Sequence, residues 1–141
     1  MNRHVHYTLT RKWAQEEGFS EEDAEVIAQH NVMVDQLYRW RGLRNVKWHT
    51  SLEFAHKLLD SACQERSLEK LGQSLHVAQD YSTHRHGLGR ILGITYLNPK
   101  RHFDIWGDPA APSEIKVEIE SETRRFLRAY LEGASTGAMR N

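Results

Sequence analysis

The sequence predicts an all-α, single-domain helical bundle of about five main helices. Three observations carry that expectation. The three prolines all fall between 99 and 112, which leaves 98 residues where nothing forbids helix. Capping residues repeatedly precede apolar residues at helical spacing. No convincing strand alternation appears, with 90–97 the one stretch that reads as extended.

The elements follow in order. Residues 7–17 read as a short helix closed by Gly18. Ser20-Glu-Glu-Asp23 opens a second helix, with Ala24, Ile27, Ala28, Asn31, Val34 and Asp35 on one face. Thr50-x-x-Glu53 is a second capping box, followed by Leu52, Ala55, Leu59 and Ala62. Ser67 caps a segment carrying Leu68, Leu71, Leu75 and Ala78. Ser113, after Pro112, opens the last helix, with Ile115, Ile119, Phe126, Leu127, Tyr130 and Leu131 on one face and Gly133 as its stop. Irregular connections are expected at 38–49 and 87–112. The domain is expected to span 1–133, with 134–141 a frayed tail.

Composition narrows the function. The chain has 141 residues, 19 Lys plus Arg and 19 Asp plus Glu, so its formal net charge is zero and a strongly basic nucleic-acid binder is disfavoured. No apolar run approaches the 18 residues or so of a membrane span, and the N-terminus lacks a signal-peptide pattern. The expected location is therefore the cytoplasm as written, or export as a module of a larger protein. The single Cys63 rules out an internal disulfide framework and a cysteine-rich metal site. Cys63 falls near the apolar face of its helix, so it reads as core rather than nucleophile. Nine histidines are the unusual feature. Any metal would bind through His and carboxylates.

The informative segment is 71–87, where His76, Asp80 and His84 stand at i, i+4 and i+8. Each step of four turns a helix by about 40°, so the three form one stripe. Two imidazoles flanking a carboxylate match the nitrogen and oxygen donors of a divalent metal, at about 2.0–2.2 Å. A central carboxylate can also bridge two metals, one oxygen to each. The plainer reading is a solvated polar face. Asp35 sharpens the case, because it continues an apolar face where an ionised carboxylate needs a cation or strong donors. The alternative is a helix-end Asp facing solvent or paired with a nearby Arg. His4 and His6 precede the first helix, His49 lies just before the second capping box, and His102 lies in Arg-His-Phe-Asp104. His30 lies off the Asp35 face and reads as exposed. His56 borders its helix's apolar face and reads as packing.

The run Leu75-His-Val-Ala-Gln-Asp80, followed by His84 and His86, resembles the signature of the zinc-dependent phospholipase C and fungal zinc nuclease superfamily. The start around His6-Tyr-Thr-Leu-Thr, and the stretch from Gly18 to Val34-Asp35, resemble small bacterial members of that group. The likeness covers roughly residues 4–104. It implies a mostly helical fold around two or three zinc ions that hydrolyses phosphate esters. Carried over by position, Asp35, His49, His76 and Asp80 hold one zinc. Asp80 bridges to a second, shared with His6 (or His4). His84 or His86, with His102, holds the third. Asp35 and Asp80 become the catalytic carboxylates. The family's last ligand is a Glu, but Trp106 stands at that position, with Asp104 and Asp108 nearby. The chain is also shorter than typical secreted members, and Met1 offers no processed amine of the kind family phospholipases use.

The implied substrate is a phosphodiester, either a phospholipid headgroup or a nucleic acid. The connection from Tyr38 to Trp48 mixes Arg39, Arg41, Arg44 and Lys47 with two tryptophans, which suits either. Its plainer reading is a solvated loop anchored by Trp40 and Trp48. Helical phosphohydrolases with an adjacent His-Asp pair are disfavoured, because that dipeptide is absent. The alternative from another class is a non-catalytic interaction module with a structural metal.

Overall fold

A computed structural model describes residues 3–86 and 113–136, and among these it shows a π-helical segment and six α-helices with no β-strand. The π-helical segment is His4–Leu9, and it runs into α1, Thr10–Glu17. The remaining helices are α2 (Glu21–Leu37), α3 (Lys47–Thr50), α4 (Leu52–Glu65), α5 (Leu68–His86) and α6 (Ser113–Thr136). The all-α expectation holds. None of the helices among the described residues is long and apolar enough to cross a membrane.

Local chemistry explains most boundaries. Gly18 ends α1 at φ 116°, with the Phe19 amide donating to the Ala14 carbonyl at 3.0 Å. That left-handed turn is the conformation glycine adopts without a Cβ clash. Ser20 caps α2 by accepting from the Asp23 amide, and Ser67 caps α5 by accepting from the Lys70 amide.

Three boundaries differ from the sequence expectation. The first helical stretch begins at His4 rather than residue 7, because a π-helical turn draws Val5 and His6 into the core. Ser51, not Thr50, caps α4: its hydroxyl accepts from the Phe54 amide, while the Thr50 hydroxyl donates to the Val46 carbonyl within α3. The last helix passes through Gly133 to Thr136, so 134–136 are helical rather than part of a tail. Gly133 needs no left-handed turn when the helix simply continues. The 90–97 stretch lies outside the described residues.

Helix α5 is the axis of the bundle. It packs against α2, α3, α4 and α6, and every residue from Ser74 to Asp80 is buried. Leu71, Leu75, Val77 and Ala78 join Trp13, Ile27, Leu59, Phe126 and Leu127 in one core. The solvated-face reading of the His76–Asp80 stripe therefore fails, because its neighbours enclose it.

Helices α2 and α5 cross closely at Gly72. A Cβ there would lie 2.4 Å from the Ile27 carbonyl oxygen and 3.0 Å from the Asn31 amide nitrogen. The crossing brings Asn31 and Asp35 to His76 and Asp80. At the far end of α1, Glu17 receives Arg124 and Arg128 from α6. The Arg128 hydrogen bond, opposed by burial and aided by Arg124, holds the Glu17 carboxyl below its ordinary range.

Gly72→Ala is expected to lower unfolding free energy by about 2 kcal/mol in urea denaturation, through overpacking. The loss comes despite a helix-propensity gain of about 1 kcal/mol, so unchanged or raised stability would contradict the close crossing. Glu17→Gln is expected to lower the melting temperature by a few degrees at pH 7. A depressed folded-state pKa gives stability above the unfolded-state value of about 4.3 that fades as pH falls below it. Melting curves should therefore show the two proteins converging below pH 4 or so.

Candidate metal centre

The centre is assembled from four parts of the chain. The π-helical turn delivers His6, α2 delivers Asn31 and Asp35, α3 delivers His49, and α5 delivers His76, Gln79 and Asp80. His76 is fully buried and Asp80 nearly so, at 0% and 3% exposure. Asp35 keeps 28% of its side chain exposed.

One ligand atom from each of Asp35, His49, His76 and Asp80 lies within 4.8 Å of the other three. Asp80 Oδ2 is 2.8 Å from His49 Nδ1 and 3.1 Å from His76 Nε2. Asp35 Oδ1 is 3.6 Å from His49 Nδ1 and 3.4 Å from His76 Nε2, and the two nitrogens are 3.4 Å apart. A tetrahedral ion with bonds of about 2.0–2.2 Å separates its ligand atoms by roughly 3.3–3.6 Å. The two Asp35 spacings and the nitrogen–nitrogen spacing fall in that range, and the two to Asp80 Oδ2 are shorter.

The hydrogen bonds behind the ligands fix which nitrogens carry hydrogen. His49 Nε2 lies 2.8 Å from the Tyr38 carbonyl oxygen, which can only accept. Nε2 therefore donates, and Nδ1 faces the two carboxylates, where it would offer a lone pair to a cation and holds a proton without one. Thr10 Oγ1 donates its one proton to the Val5 carbonyl at 2.8 Å. It must then accept from the side-chain amides of Asn31 and Gln79, which it meets at 3.3 and 2.9 Å. Gln79 Nε2 also donates to Thr123.

The amide oxygens consequently face the histidines. Asn31 Oδ1 accepts from His6 Nδ1 at 2.8 Å and from His76 Nδ1 at 3.2 Å, and Gln79 Oε1 accepts from His6 Nδ1 at 2.8 Å. Both rings therefore point Nε2 inward. His6 Nε2 lies 3.0 Å from Asp80 Oδ1, the oxygen that the His49–His76 side does not use. Partners of this kind set imidazole tautomer and orientation at metal sites.

Lone pairs and carboxylate oxygens at 2.8–3.6 Å repel unless a proton or a cation lies between them. Without a cation, burial opposes charge on His76, but Asp80 and Asp35 outweigh it and push His76 up to about 10. Burial, then the charge on His76, lowers His6. The two rings stack with centroids 4.2 Å apart, so charging both is unfavourable. Burial pushes Asp80 up, yet His76, His6 and His49 together hold it well below the carboxylate range. Asp35 Oδ2 is buried and has no hydrogen-bond partner among the described residues. Asp35 Oδ1 and Asp80 Oδ2 both face the inward His49 and His76 nitrogens, the arrangement of a metal-ligand set. The donor set fits a metal ion.

The structure thus gathers Asp35, His49, His76, Asp80 and His6. Asp80 divides its two oxygens between His6 on one side and His49 with His76 on the other. His4 is exposed, so His6 is the buried member of that pair. His84 and His86 fall on the last turn of α5, but their side chains, like His102, Asp104 and Asp108, lie outside the described residues. Among the described residues Asp35 pairs with no Arg, and its side chain stays 28% exposed. His56 packs its ring against Phe126 at 5.1 Å but stays exposed, and His30 is half-buried with Glu69 4.0 Å away. Cys63 is buried in the core. Thr10, Gln79 and Thr123 were not singled out by sequence. The available signal was Asn31, a polar residue on an otherwise apolar face.

No protein-family model matches this chain, and neither does any curated protein or solved structure.

Thr10→Val removes the hydroxyl that orients both amides, and is expected to weaken metal affinity by about tenfold or more. Thr10→Ser should restore it. Equal affinity of all three proteins, measured by competition with a chromogenic chelator, would contradict the orienting role.

Proposed function

We propose that the chain is a zinc-dependent phosphoesterase that hydrolyses a phosphodiester with water. The observation that carries this reading is the inward convergence of two imidazole lone pairs and two carboxylates on one buried point. Imidazole and carboxylate donors in near-tetrahedral array suit zinc. The His6–Asp80 Oδ1 pair supports a second ion, which gives two or three in all when His84, His86 and His102 are included. The likeness to the zinc-dependent phospholipase C and zinc nuclease superfamily supports phosphoric esters as the substrate class.

When bound, zinc supplies Lewis acidity toward phosphoryl oxygens and hydroxide at neutral pH. The chain's own residues do the rest. Asp80 sits between His6, His49 and His76 and holds the cluster together. Asp35 is the most solvent-accessible of the four clustered ligands. Its Oδ1 faces His49 and His76, and the carboxylate, partly open to solvent, would orient the attacking water and accept its proton. Water adds to phosphorus, the P–O bond to the alcohol breaks, and the alcohol leaves with a proton from solvent. Arg39, Arg41 and Arg44 supply positive charge on the connection that ends at His49, which suits an anionic substrate.

One observation favours the second reading, a structural metal. Four protein side chains would be enough to fill a zinc ion's four positions, as they do in closed structural sites. Asp80→Asn decides between them together with the metal-loaded wild type. Wild type should carry two or three zinc ions per chain by elemental analysis and hydrolyse bis(p-nitrophenyl) phosphate. Asp80→Asn should lose metal and activity together. One tightly held zinc with no hydrolysis would establish the structural role, and a variant with full zinc and full activity would remove Asp80 from the centre.

A further inference from the structure

The connection between α2 and α3 carries a feature that the metal ligands do not account for. Between Gln36 and Leu52 there are four cationic side chains, Arg39, Arg41, Arg44 and Lys47, and no acidic one. Arg41 and Arg44 close a tight turn, exchanging backbone hydrogen bonds of 3.2 and 2.8 Å. Gly42 takes a left-handed φ of 57° within it. The Trp40 indole donates to the Gly42 carbonyl at 2.7 Å, and the Asn45 amide donates to the Arg39 carbonyl at 3.0 Å. The base is equally fixed: Trp48 stacks on Tyr38 at 3.8 Å, and Trp40 stacks on His49.

This braced turn holds Leu43 91% exposed at its tip. Leu37, where the same connection begins, is 57% exposed, so this segment holds two of the three large hydrophobic side chains exposed among the described residues. A rigid turn prevents Leu43 from folding back onto the core. Among the described residues, no carboxylate pairs with Arg39, Arg41 or Arg44. By contrast, Arg11, Arg124, Arg125 and Arg128 each reach a glutamate. Three arginines with no carboxylate partner among the described residues, and Lys47 with its Nζ 4.6 Å from the Phe54 ring centroid, around an outward apolar tip match the two layers of an anionic bilayer surface, with headgroup charge outside and acyl chain beneath.

We propose that the 39–47 turn docks the protein on an anionic lipid surface, with Leu43 inserted below the headgroups and Arg39, Arg41, Arg44 and Lys47 among them. The apolar tip favours a bilayer over a nucleic acid, whose phosphates offer nothing for an exposed leucine to enter. The inference stands apart from the hydrolase reading, since binding is measured without turnover. Docking would place the bilayer beside the centre, because the turn is stacked on His49.

Vesicle sedimentation tests it, with vesicles of phosphatidylcholine alone or containing 30% phosphatidylglycerol as a roughly chosen anionic fraction. The full chain should bind the anionic vesicles and not the neutral ones, and lose most binding at high salt. Leu43→Ser should lower the partition coefficient about tenfold. The Arg41→Gln/Arg44→Gln double variant should lower it about twentyfold, near fivefold per lost charge. Both positions are exposed, and circular dichroism should show unchanged helicity. Absence of binding to anionic vesicles would overturn the proposal. So would unchanged binding by the Leu43 variant, or single-stranded RNA displacing the protein from the vesicles at stoichiometric amounts.

Discussion

A carboxylate enclosed by three imidazoles is the constraint around which the described fold is arranged. Asp80 sits on the most buried helix and contacts His6, His49 and His76. Leaving such a group in the core without compensating charge costs several kcal/mol. Protons on the imidazoles offset part of that cost, and the stacking of His6 on His76 limits how many protons fit. A metal ion would offset it more completely, because it would meet all four inward donors at once. Stability and the proposed function would then be tied to the same atoms.

The surrounding structure serves that geometry. Gly72 lets α2 approach α5 closely enough for Asn31 and Asp35 to reach the α5 histidine. The π-helical turn places His6 inward and the Thr10 hydroxyl on the Val5 carbonyl, and that single hydrogen bond sets the direction of the amide network. The Tyr38 carbonyl, at the end of α2, sets the tautomer of His49. The connection that carries Tyr38 and His49 also carries the cationic turn, so the centre and the proposed surface contact share one segment.

The parts of the centre that sit on one helix were legible in the sequence. His76 and Asp80 are one turn apart, and Asp35 continues a face of Ala24, Ile27, Ala28 and Val34, which the structure buries apart from Asp35 itself. His49 was singled out only through the expected resemblance, which left His6 and His4 as alternatives until burial separated them, since none of the three lies in a periodic pattern. Thr10, Gln79 and Thr123 were not legible, because a buried hydroxyl or amide is chosen by partners far away in sequence. The helix boundaries show the same division. Gly18, Ser20 and Ser67 act through neighbours within a few residues and were read correctly. The α4 cap moved by one residue to Ser51 because α3, a single turn invisible to periodicity, had already taken Thr50.

The most direct measurement is anomalous scattering from a crystal of the zinc-loaded protein, collected on both sides of the zinc absorption edge. The expected result is a peak about 2 Å from Asp35, His49, His76 and Asp80, with a second beside His6 and the other Asp80 oxygen. A map from well-ordered crystals with no peak among those four side chains would contradict the account.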